Sequence, residues 1–128
     1  MITGHCHCGA VAFTITGPLR PSIACHCETC RRLSGHYWSA TQTLTSHLNL
    51  TRDDGLTWYA SSDIAQRAFC RFCGSSVFYR LDNSEYTSIG TGTLDSPTGL
   101  YTESHIYLEE KGDYYRIIDN AETSNSHS

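Results

Sequence analysis

Apolar and polar positions alternate along this chain in short bursts, each closed by a turn signal. Val11, Phe13 and Ile15 alternate with Ala12 and Thr14, the period-two pattern of a half-buried strand, and Gly17-Pro18 ends it. Residues 37–44, 56–60, 76–81 and 86–89 predict further strands, and another starts at Asn49-Leu50 before the Asp53-Asp54-Gly55 turn. Residues 105–109 and 114–118 predict two more, joined through Lys111-Gly112-Asp113. Residues 28–33 suit one or two helical turns, with Ser34-Gly35 as the stop. Residues 20–24 and 67–70 lead into cysteine clusters, 91–97 form a loop, and the polar tail 122–128 is expected to be disordered. Many short strands with at most one or two short helices predict a mainly β fold. No repeat or internal linker interrupts it, so residues 1–121 are expected to form one domain.

Composition agrees with this and narrows the function. Eight Tyr, ten Gly and abundant Thr favour strands and turns, and one Met with Lys111 as sole lysine argues against a helical protein. The net charge is −4 and no basic block occurs, which argues against nucleic acid and anionic membrane as partners. No apolar run approaches the roughly 18 residues of a membrane helix. Met1-Ile2-Thr3-Gly4-His5 has no charged segment leading into an apolar one, so a cytoplasmic location is expected.

The seven cysteines change the picture most. They fall into three clusters, Cys6-x-Cys8, Cys25-x-Cys27-x-x-Cys30 and Cys70-x-x-Cys73. In a reducing cytosol such clusters bind metal more often than they form disulfides. Cysteines two apart in a strand also sit roughly 6.6 Å apart, near the limit for bridging. Thiolates at this spacing suit a soft tetrahedral ion, above all zinc. The first and last pairs supply a closed set of four, Cys6, Cys8, Cys70 and Cys73. That set would clip a long loop and hold the fold, with Cys6 and Cys8 at the start of a strand, thiolates on one face. Cys25, Cys27 and Cys30 remain as a set of three with one position open to a ligand. Two zinc ions per chain are therefore expected. His5, His7 and His26 either flank the metal loops as partly exposed rings, or one of His26, His36 and His105 faces the open position.

Three runs resemble the glutathione-dependent formaldehyde-activating enzyme family, which also includes centromere protein V. They are Gly4-His5-Cys6-His7-Cys8-Gly9-Ala10-Val11, Cys25-His26-Cys27-Glu28-Thr29-Cys30-Arg31-Arg32-Leu33-Ser34-Gly35 and Cys70-Arg71-Phe72-Cys73-Gly74-Ser75. Gly92-Thr93-Leu94-Asp95 and His105-Ile106 match as well, so the resemblance covers residue 4 to about 115. It implies a β-tent-like zinc-binding fold of short antiparallel sheets, a structural zinc at Cys6, Cys8, Cys70 and Cys73, and a second, exchangeable zinc at Cys25, Cys27 and Cys30. It also implies carbon–sulfur lyase chemistry, with glutathione as thiol and formaldehyde as aldehyde, and a homodimer is compatible with it. One departure stands near the end, where members often carry a Trp and this chain has Tyr114 and Tyr115.

Three thiolates and a zinc dication leave one negative charge, so the open position suits a substrate thiol held as thiolate better than water activation. That makes Cys25, Cys27 and Cys30 the candidate catalytic centre. Arg31 and Arg32 could offset its charge or bind a substrate carboxylate, or they form a solvated helix face. Tyr37 and Trp38 line a pocket or pack in the core, and His105 is either a general acid–base or a packed ring. The rival functions are a related lyase acting on another thiol or aldehyde, a non-catalytic zinc module for protein contacts, and, weakest on charge, a zinc-ribbon binder of nucleic acid.

Overall fold

The computed structural model describes residues 1–125 as eleven strands and one α-helix. The alternating segments fold as their pattern predicts. β1 (Ile2–His5), β2 (Ala12–Ile15) and β5 (Leu48–Arg52) form a small antiparallel sheet in the order β1-β2-β5. The other eight are β3 (Ser22–Cys25), β4 (Trp38–Leu44), β6 (Leu56–Ala60), β7 (Ala65–Cys70), β8 (Ser76–Leu81), β9 (Tyr86–Gly90), β10 (Thr102–Ile106) and β11 (Glu122–Thr123). They form one sheet in the order β11-β10-β3-β4-β9-β8-β7-β6. Its pairings are antiparallel except at β10, which runs parallel to both β3 and β11. The helix α1 (Glu28–Ser34) ends at Gly35, whose φ of 86° supplies the left-handed cap. It is neither long nor apolar enough to cross a membrane.

The core lies where the two sheets meet. Phe13 and Ile15 on β2 point inward with Val77 and Phe78 on β8, Ile89 on β9, and Leu94. The Phe13 and Phe78 rings meet at 5.3 Å between centroids, a tilted pair across the sheets. Burying each ring contributes about 2–3 kcal/mol. Gly4 opposite Phe13 has no alternative, because a Cβ there would lie 2.6 Å from the ring and 2.7 Å from the Thr93 carbonyl oxygen.

Four segments differ from the sequence reading, two of them through a non-local partner. Cys6 and Cys8 lie in the turn between β1 and β2, not at the start of a strand. The strand expected over 105–109 stops at Ile106, because Tyr107 is left-handed (φ 57°) and starts the 3₁₀ turn Leu108–Glu110. Residues 114–118 form no strand. Their apolar run lacks alternation, Ile118 is exposed, and Tyr115 turns inward to a buried histidine. The expected disordered tail begins as β11 beside β10, while its last residues, 126–128, lie outside the described residues.

Candidate functional site

Two hairpins bring the first cysteine set together. In the β1–β2 turn, Gly9 adopts φ 84° and donates to the Cys6 carbonyl at 3.2 Å, and the Val11 N–H donates to the Cys6 sulfur at 3.3 Å. Gly74 plays the same part after Cys73, with φ 80° and a 2.7 Å bond to the Cys70 carbonyl. The four sulfurs of Cys6, Cys8, Cys70 and Cys73 lie within 4.8 Å of one another, with Cys6–Cys8 at 3.8 Å and Cys8–Cys70 at 3.7 Å. A zinc–sulfur bond of about 2.3 Å in a tetrahedron requires sulfurs about 3.8 Å apart, so this set fits zinc without rearrangement. The Ser75 hydroxyl, 3.2 Å from the Cys73 sulfur, brings that thiol down to about 5, toward the thiolate a metal needs. One pair comes from each sheet, so the site ties the two together.

The second set is assembled within a few residues. Cys25 ends β3, Cys27 caps α1 with its sulfur 3.3 Å from the Cys30 N–H, and Cys30 is buried in the first turns of the helix. Their sulfurs also lie within 4.8 Å of one another. Hydrogen bonds from Cys25, then Cys30, push Cys27 far down and make it the first thiolate, and the same bond pushes Cys25 up. The donor set suits the same soft ion. Among the described residues no His, Asp or Glu completes this set, so neither His26, His36 nor His105 faces the open position.

Instead the three sulfurs open onto a cavity of about 280 Å³. Trp38, Tyr79 and Tyr107 form its aromatic wall, Arg20 and Arg67 its polar one, and among the described residues no carboxylate lines it. Arg20 is held by the Pro21 and Ala40 carbonyls at 3.3 and 2.9 Å. Arg67 lies over the Tyr79 ring at 5.0 Å and the Trp38 ring at 5.8 Å and donates to the Cys30 sulfur at 3.5 Å. Its Nε is buried without a protein partner.

A family model described as glutathione-dependent formaldehyde-activating enzyme matches residues 1–110, which hold all seven cysteines and both arginines. This chain belongs to the glutathione-dependent formaldehyde-activating enzyme family. A protein of Halomonas elongata named "putative glutathione-dependent formaldehyde-activating enzyme" is 29% identical over 91% of this chain and 81% of its own length. One of Schizosaccharomyces pombe named "uncharacterized lyase" is 25% identical over 88% of this chain and 82% of its own. The crystal structure of a Rhodobacter sphaeroides protein has the same fold, with a TM-score of 0.58 and 29% identity, covering 73% of this chain and 88% of that one. The expected mainly β architecture, two open sheets with one short helix, is thus observed and is shared with that structure.

Other residues singled out from the sequence fall elsewhere. Arg32 pairs with Glu28 on the exposed helix face at 2.9 Å, and Arg31 does not line the cavity. Trp38 lines it, whereas Tyr37 packs against His26 at 4.7 Å. His5 and His7 are exposed, as the plainer reading has it. His26 is not; it is fully buried behind the cavity, with Nδ1 2.5 Å from the Tyr115 hydroxyl and Nε2 2.8 Å from Nδ1 of His105. Burial, then the neighbouring His105, His36 and Lys111, lowers His26 to about 4 and keeps it neutral. His105 is also buried, and its Nε2 meets the Asp119 carboxylate at 3.0 Å, so no solvent or cavity contact suits it to acid–base work. Arg20, Arg67, Tyr115 and Asp119 carried no local signal. Arg67 stands three residues before Cys70, and only the alternation of β7 could have turned it toward the second cysteine set.

Proposed function

We propose that this family member is a zinc-dependent carbon–sulfur lyase of the S-(hydroxymethyl)glutathione synthase type, joining a thiol, glutathione, to a small aldehyde, formaldehyde. The observation that carries the reading is the second cysteine set: three converging sulfurs with, among the described residues, no fourth protein ligand, and a cavity in front of them lined by two guanidiniums and no carboxylate. Cys25, Cys27 and Cys30 would hold zinc there, and the ion would supply a position able to keep a substrate thiol as its nucleophilic thiolate.

The charges favour such a ligand. Three thiolates with a zinc dication carry one negative charge, and Arg20 with Arg67 turns that into one positive charge. An anionic sulfur restores neutrality in a cavity where uncompensated charge is costly. In the synthetic direction the sulfur lone pair forms the C–S bond, the carbonyl π pair moves to oxygen, and that oxygen takes a proton, giving the S-hydroxymethyl thioether. Arg67 steadies the Cys30 thiolate and lines the cavity that the incoming ligand enters. Burial pushes the Tyr79 and Tyr107 hydroxyls up, so both stay protonated on the cavity wall and can donate to the aldehyde oxygen. The aromatic wall limits water, which competes for the aldehyde. Seven free thiols suit a reducing compartment, the cytoplasm.

Proton-exchange spectroscopy of adduct formation from formaldehyde and glutathione tests the reading. A sample with two zinc ions per chain is expected to accelerate exchange beyond the spontaneous rate measured alongside. No acceleration by such a sample sinks the named activity. The second reading, a lyase for another anionic thiol or aldehyde, draws on the relative named simply a lyase, and acceleration with other thiols but not glutathione would select it.

A further inference from the structure

Behind the second cysteine set runs a chain of hydrogen bonds, buried at its two histidines and reaching solvent at Asp119, that the chemistry above leaves unused. It links Tyr115, His26, His105 and Asp119 at 2.5, 2.8 and 3.0 Å. One proton on each ring satisfies every contact in it, and the carboxylate at its end sets the direction. Ionised Asp119 only accepts, so His105 carries its proton on Nε2 and presents Nδ1 as acceptor. His26 therefore donates from Nε2, and its Nδ1 accepts the Tyr115 hydroxyl proton. Every donor meets an acceptor, and two fully or nearly buried rings are left with no unsatisfied nitrogen.

The position of His26 gives the chain its meaning. Its backbone N–H bonds to the Ile106 carbonyl at 3.0 Å, and its ring is drawn to the side away from the cavity. Cys25 and Cys27, on either side of it, face the cavity. Both ends of the chain come from residues beyond 110, outside the segment matched by the family model. That stretch is fastened along its length. Lys111 donates from Nζ to the Tyr115 carbonyl at 2.5 Å, Tyr114 donates to the Gly35 carbonyl at 3.1 Å, and the Ser124 N–H bonds to the His105 carbonyl at 2.9 Å.

We propose that residues 111–125 form a C-terminal strap whose Tyr115 and Asp119, through His26 and His105, are positioning residues for the three-thiol site. The inference rests on the reading that those thiols hold a metal. Groups that orient ligands from behind typically change metal affinity by about 10- to 100-fold. A strap that merely packs would change the unfolding temperature and leave metal affinity alone.

The test uses the full chain with Tyr115→Phe, Asp119→Ala and Asp119→Asn, none of which touches a sulfur. A chromophoric chelator reads the two zinc affinities separately, and the absorption of the cobalt-loaded protein reports ligand geometry. Tyr115→Phe and Asp119→Ala are expected to weaken the looser zinc about tenfold or more and to shift the cobalt bands, leaving the tighter zinc unchanged. Asp119→Asn, which still offers His105 an acceptor oxygen, is expected to recover most of the loss. Unchanged looser-zinc affinity in both Tyr115→Phe and Asp119→Ala overturns the strap, whatever their melting temperatures. A wild-type chain that takes up one zinc overturns the metal reading itself, and the strap with it.

Discussion

The two cysteine sets use the same side chain and differ in what surrounds it. Cys6, Cys8, Cys70 and Cys73 come from two hairpins in two sheets, are complete as a set of four, and already stand at tetrahedral spacing. Cys25, Cys27 and Cys30 come from six consecutive positions, stop at three, and face a cavity with two guanidiniums. A closed set spanning distant parts of the chain exchanges ligand energy for fold stability. An open local set ties little together and leaves its capacity to a ligand. On the proposed reading, the difference between holding and reacting lies in topology and neighbours rather than in cysteine chemistry.

The largest effect expected is the loss of a ligand from the closed set. Cys70→Ser should remove a contribution on the order of 10 kcal/mol, comparable with a whole domain's stability, and circular dichroism should show an unfolded chain at room temperature. Cys27→Ser should instead leave the spectrum native, lower bound zinc by one ion per chain and abolish the acceleration of thioether formation. An unfolded Cys27→Ser would erase the distinction between the sets. Next comes Arg67→Met, which takes away the donor to the Cys30 sulfur. It should raise the KM for the thiol about tenfold, from roughly 1.5 kcal/mol of charge-assisted hydrogen bonding, with no change in zinc content. The smallest is Glu28→Ala, which breaks the exposed pair with Arg32 at the mouth of the same helix. It should cost at most about 0.5 kcal/mol in chemical denaturation, showing that the helix face serves neither site.

How much of this was legible follows from the range of each signal. Cysteine spacing is local, so both sets and their split into four and three stood in the sequence. Strand alternation is local too, and β2, β4, β6, β8 and β9 lie close to where the pattern puts them. The arginines of the cavity were not legible, since Arg20 and Arg67 sit on separate segments and meet the sulfurs only once the large sheet forms. Arg31 and Arg32, adjacent to Cys30, looked better placed and proved to lie outside the cavity. The C-terminal segment misled for the same reason. Residues 114–118 carry strand-forming side chains, yet Tyr115 is claimed by His26, and the backbone follows it. Helical and extended periods cannot report a partner 89 positions away.

Stepwise metal removal tests the central claim most directly. The wild-type chain, loaded with zinc and titrated with a chelator of increasing strength, is followed for released metal and for circular dichroism in the same cuvette. The account predicts two releases of one zinc each, the first with the spectrum unchanged and the second coincident with unfolding. A single release of both ions together with the fold, or a chain that never held more than one, would contradict it.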